Sequence, residues 1–109
     1  MNTFTINGIQ WQILFVKPNS SELYRSDNTL TVGVTDFETR CVYLSNVLHG
    51  SFLEKVTCHE LVHCFMFSYN IHISIEQEEF MADWFSVYGK DLVYLLDNLM
   101  NGFVSGVAL

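Results

Sequence analysis

The run His59-Glu60-Leu61-Val62-His63 is where this chain carries its chemistry. On a helix, positions four apart share a face, so both imidazoles can reach one metal ion at about 2.0–2.1 Å. Glu60 lies about 100° further round the helix. It is badly placed as a third ligand there, yet it can reach water held at the metal, which is the position of a general base in metal-assisted hydrolysis. The competing reading is a solvated polar face produced by chance. The neighbours Phe52, Leu53, Val56, Phe65, Met66 and Phe67 weigh against it. Apolar nearly all round, they predict a buried helix, and buried histidines beside a glutamate need partners.

A catalytic zinc usually takes three protein ligands, and the next segment offers Glu76, Glu78, Glu79 and Asp83. Glu79 and Asp83 share a helical face that also holds Glu76 one turn earlier. A carboxylate at Glu79 could complete the site, and Asp83 could accept a hydrogen bond from the far nitrogen of a ligand histidine. An acidic first turn favoured by the helix dipole explains Glu76 and Glu78 without any metal. It explains Asp83 less well, among Phe80, Met81, Ala82, Trp84 and Phe85. Cys58 and Cys64 are each one residue away from a ligand histidine and read as buried free thiols, with Cys41 a strand residue. His49, His72, Tyr69 and Tyr88 read as surface or packing residues.

These groups must be positioned by a small set of elements. Asn7-Gly8 is a turn signal joining a short strand to Ile9–Val16, where Ile9, Trp11, Ile13 and Phe15 mark one buried face. Ser21–Tyr24 suits one helical turn. Thr31–Thr35 and Cys41–Ser45 read as strands joined by a hairpin turn at Asp36–Arg40. Ser51 and Glu54 have the form of a capping box opening a helix that runs to about Ser68, with Asn70 as a left-handed cap. Ser74 and Gln77 form a second box opening a helix that runs to about Met100, with Gly89 a kink or break and Gly102 past the end. The class is α+β: an N-terminal antiparallel sheet packed on the buried helix of the first motif, and a long C-terminal helix.

Length and composition set bounds on function. At 109 residues, half of them hydrophobic, residues 1–109 suit a single domain with one core. Twelve acidic against five basic residues, a net charge of −7, disfavour a direct nucleic-acid ligand or an anionic membrane surface. No signal peptide or spanning segment is evident, and an odd cysteine count without a disulfide framework suits a reducing, cytoplasmic setting.

The two motifs together resemble those of the gluzincins, in which a His-Glu-x-x-His helix precedes a helix bearing Glu-x-x-x-Asp. Carried over residue by residue, the resemblance implies one zinc per chain held by His59, His63 and Glu79, with Glu60 as the catalytic base and Asp83 supporting a ligand histidine. Glu79-x-x-Ala82-Asp83-x-Phe85 is similar to the Glu-x-x-Ala-Asn-x-Phe signature of the ImmA/IrrE metallopeptidases, with Asp83 in place of Asn. That family is compact, frequent in phages and mobile elements, and includes enzymes that cut repressor-type regulators. The likeness spans roughly residues 31 to 90 and implies a small zincin-like domain acting on a protein or peptide. It also places the Thr31–Thr35 strand at a sheet edge beside the cleft. Val32, Gly33, Val34 and Thr35 would then receive an extended substrate, Gly33 allowing close backbone approach. The alternative function is a non-catalytic zinc-binding module that partners a phage or host regulator.

Overall fold

A computed structural model describes residues 2–104. Four strands, β1 (Thr3–Ile6), β2 (Ile9–Val16), β3 (Gly33–Asp36) and β4 (Cys41–Ser45), form one sheet in the order β1-β2-β4-β3. Two helices follow, α1 (Gly50–Ser68) and α2 (Ile75–Val104). The α+β class holds, but the sheet is mixed, not antiparallel. β1–β2 and β3–β4 are antiparallel hairpins, while β2 pairs with β4 in parallel, Gln12 opposite Cys41 through Val16 opposite Ser45. The physical reason lies in composition: Cys41, Val42, Leu44 and Ser45 are all buried, so β4 takes the central place. Gly33-Val34-Thr35-Asp36 is more polar and takes the edge.

Several local signals act as their residues dictate. Asn7 (φ 49°) and Gly8 (φ 80°) both adopt the left-handed conformation that the tight β1–β2 turn demands. Ser74 and Gln77 form the reciprocal capping box, Gln77 N donating to Ser74 Oγ and Ser74 N to Gln77 Oε1, each at 3.2 Å. Asn70 (φ 57°) ends α1 in a Schellman motif: Asn70 N donates to Phe67 O at 3.0 Å and Ile71 N to Met66 O at 2.9 Å.

Other expectations are corrected. The Ser51 capping box does not form; α1 is entered through Leu53 N donating to His49 O, and Glu54 turns to Lys90 of α2 instead. α2 does not break at Gly89 and runs past Gly102 to Val104; the Phe85 ring lies over Gly89, where a Cβ would meet its Cδ1 at 3.2 Å. Phe15 is exposed, since the core beneath β2 ends before it. The third strand begins at Gly33, while Thr31 N bonds back to Leu23 O.

The core lies between the sheet and α1: Ile6, Trp11, Val42, Leu44, Leu48 and Cys64, with Leu53 and Val56 packed on it. Trp11, 1% exposed, donates from Nε1 to Ser68 Oγ at 2.8 Å, and Asn7 Nδ2 donates to Ser68 O at 3.0 Å. These bonds fasten the first hairpin to the last turn of α1. α1 is not buried all round, because Phe52 and Phe65 face outward; the buried stripe is Glu60, His63, Cys64, Met66 and Ser68. No helix among the described residues is long and apolar enough to cross a membrane.

Candidate metal centre

Two antiparallel helices build the site. α1 carries His59 and His63 on successive turns with Glu60 beside them, and the first turns of α2 bring Glu78, Glu79 and Asp83 against the histidines. Helical periodicity presents both imidazoles to one point, and Glu79 reaches it from the neighbouring helix. His59 Nε2 lies 3.4 Å from His63 Nε2 and 3.2 Å from Glu79 Oε2, and His63 Nε2 lies 2.9 Å from Glu79 Oε1. A tetrahedral ion with ligand bonds of about 2.0–2.1 Å has ligand–ligand edges of about 3.3 Å, so this triangle has the size of one tetrahedral face.

The hydrogen bonds behind the triangle set the donor chemistry. His59 Nδ1 donates to Asp83 Oδ1 at 2.9 Å, and His63 Nδ1 donates to Glu78 Oε2. With each Nδ1 proton so committed, a neutral imidazole turns a bare Nε2 lone pair inward. Two such lone pairs and a carboxylate then converge with no donor between them. A cation satisfies all three, and a divalent metal fits the donor set and its spacing.

Glu60 is 5% exposed and held by β3: Thr35 Oγ1 donates to its Oε1 at 2.8 Å. A cleft lies on each side of Glu60. One is lined by Arg25, Val32, Lys55, His59 and Asp83, the other by Arg25, Val34, Thr35, His63 and Glu79.

The structure thus brings together His59, His63, Glu79 and Asp83, with Glu60 beside them. Glu76 is exposed on the outer side and takes no part. Asp83 is not embedded in apolar side chains; its side chain is 72% exposed, and it faces the histidine across the helix pair. Glu78 is the residue that sequence reasoning left to the helix dipole, and its side chain is only 14% exposed. The usable signal was spacing, because Glu78 stands four residues, one helical turn, before the buried Ala82 and so shares its inward side. Gly33 also serves the packing of the domain. A Cβ there would lie 2.8 Å from Val56 Cγ1 and 3.3 Å from Glu60 Cγ, so its missing side chain lets α1 close on the sheet. Cys64 is buried and its thiol is pushed up to about 12 by burial; Cys58 is also raised by burial, and neither joins the metal-ligand group.

No family model, curated protein or solved structure significantly matches this chain.

Proposed function

We propose that the chain is a zinc-dependent metallopeptidase with a zincin-like site, in which His59, His63 and Glu79 hold the metal and Glu60 is the general base. The observation that carries this reading is the triangle of ligand atoms at 2.9–3.4 Å, with each histidine anchored from behind by its own carboxylate. Zinc in such a His2Glu set supplies Lewis acidity, polarising a peptide carbonyl and acidifying water. Glu60 Oε2 accepts the proton from the attacking water and passes it to the leaving amine, while Thr35 keeps Oε1 occupied so that the carboxylate presents one face. Arg25 lines both clefts and brings positive charge beside a strongly acidic site. β3 pairs with β4 on one side only, so its outer edge suits an extended protein segment added as a further strand. A repressor-type regulator is the substrate class that the motif resemblance suggests.

Glu60→Gln tests the assignment. It keeps size and removes the base, so zinc content by metal analysis stays near one per chain and thermal stability is nearly unchanged. Turnover of a protein substrate falls at least ~10²-fold. Loss of zinc in this variant would make Glu60 a ligand and sink the assignment. Retention of both zinc and full biological effect would favour the non-catalytic zinc-binding module.

A further inference from the structure

The two clefts that meet at Glu60 differ in charge. The one on the His59 side, about 200 Å³, holds both Arg25 and Lys55, two of the chain's five basic residues. The one on the His63 side, about 360 Å³, shares Arg25 but adds Asp27, Glu78 and Glu79, beside the apolar Val34, Phe37 and Ile75. Lys55 stands one helical turn before His59 and so shares its face of α1. Arg25 opens a closed turn, with Arg25 N donating to Thr29 O and Asn28 N to Arg25 O, each at 2.9 Å.

Cations in a chain of net charge −7 have acidic partners to spare, yet among the described residues neither Arg25 nor Lys55 makes an ion pair. The carboxylates nearest them in the chain, and those lining the same cleft, are engaged elsewhere. Glu54, beside Lys55 in sequence, turns to Lys90 Nζ at 2.9 Å. Asp27, two residues after Arg25, accepts from Thr29 N at 2.9 Å. Its carboxyl is held low chiefly by Thr29, with the Arg25 charge a lesser cause. Asp83 accepts from His59 Nδ1 at 2.9 Å, and Glu60 from Thr35 Oγ1 at 2.8 Å. Two positive charges are therefore left facing one small cleft without a counter-ion.

We infer that the His59-side cleft is a carboxylate subsite, in which Arg25 and Lys55 receive an acidic group of the substrate on that side of the bond held at the metal. The inference rests on the peptidase reading and deepens it. A carboxylate is the anion that suits the place. Its two oxygens match the guanidinium fork, and its single charge meets less repulsion from Glu60, Glu79 and Asp83 than a doubly charged phosphoryl group would. Phe52, Val56 and Val32 line the same cleft and offer apolar surface to the methylenes of an acidic side chain. Val32 borders this cleft, and Val34 and Thr35 border the other. An extended segment along the outer edge of β3 thus passes from one cleft to the other across Glu60, and side chains on the two sides of the scissile bond enter clefts of unlike charge.

Fluorescence anisotropy on the Glu60→Gln chain in the presence of zinc tests it. The probes are labelled alanine heptapeptides, amidated at the C-terminus, that carry Glu, Gln or Lys at the centre. The Glu peptide should bind about tenfold more tightly than the Gln peptide, the strength of a charge-assisted hydrogen bond near solvent, and the Lys peptide most weakly. Added salt should narrow the gap, because both cations are exposed. Lys55→Glu should invert the order of the Glu and Lys peptides, whereas a merely structural role would weaken all three alike. Arg25→Gln, in a surface turn, should bring the Glu and Gln peptides together and serves as the second variant if the first misfolds. A free-acid alanine heptapeptide lacking Glu that binds like the Glu peptide would assign the carboxylate to a chain terminus instead of a side chain. Equal binding of the Glu and Gln peptides, no binding below about 1 mM, or an order that neither variant changes overturns the inference. Digestion of a proteome-derived peptide library by the wild type separates it from the reading it rests on. Asp or Glu should be enriched at one position beside the cut. Cleavage without that enrichment overturns the subsite and leaves the peptidase; selective binding of the Glu peptide with no cleavage overturns the peptidase and leaves the subsite.

Discussion

The two halves of α2 use similar residues to opposite ends. Up to Lys90 the helix lies against α1, and its polar positions, Glu78, Glu79 and Asp83, turn inward to the histidines. Beyond about Tyr94 the same helix overhangs the start of α1, and Leu95, Leu96 and Leu99 are exposed. A helix with polar residues facing the protein and apolar residues facing out inverts the usual arrangement. The lesson is that polarity alone does not say which side of a helix is inside. The inward carboxylates are tolerated because each has a nitrogen or a cation to satisfy it, and the outward leucines because another surface can cover them.

The strongest way to break this comparison is to damage each half separately. Glu79→Ala should remove most of the zinc, measured by metal analysis, and abolish the rise in Tm that zinc confers on the wild type. Leu92→Glu, on the outer half, should leave zinc content and that rise in Tm where they were. Loss of zinc in Leu92→Glu would mean that the halves are coupled and that the division fails.

A sharper and smaller test lies within the first half. Asp83 and Glu78 hold equivalent histidines, but Asp83 is open to water and Glu78 is shielded. Losing such a supporting carboxylate weakens a metal by about 10- to 100-fold. Chelator competition should put Glu78→Ala near the upper end and Asp83→Ala near the lower, because water can replace Asp83 and not Glu78. Equal losses would mean that burial of the partner does not matter here.

What the sequence disclosed, and what it withheld, follows the same division. His59, His63, Glu79 and Asp83 could be read because their spacing fixes a shared face. Asn7-Gly8, Asn70 and the Ser74–Gln77 box could be read because each satisfies a local backbone need. Glu78 was hidden because the helix dipole already accounts for an acidic residue in a first turn. The function of Gly33 was hidden because its neighbours, Val56 and Glu60, are far along the chain. The parallel β2–β4 pairing was hidden for the same reason: hairpins announce themselves locally, and the order in which they dock does not. Exposure of Asp83, and of Phe52 and Phe65 on α1, depends on where the sheet ends, and no window of sequence contains that.

The smallest effect is expected at the junction of the halves. Lys90 Nζ meets Glu54 Oε2 at 2.9 Å, with both side chains largely in water. Exposed pairs contribute little, so Lys90→Ala should leave Tm and zinc content nearly unchanged. A marked loss of Tm would make this pair the clamp that sets the helix angle.

The two tryptophans give these regions separate optical signatures. Trp11, sealed at 1% exposure with its indole N–H held by Ser68, emits from an apolar surround that no dissolved quencher readily enters. Trp84, at 36% exposure beside Phe85 and Tyr88, sits at the edge of the apolar stripe on α2. Acrylamide should therefore divide the fluorescence into a protected and an accessible fraction. A change confined to the accessible fraction then reports on α2 alone, while the protected indole shows in the same cuvette that the core is intact.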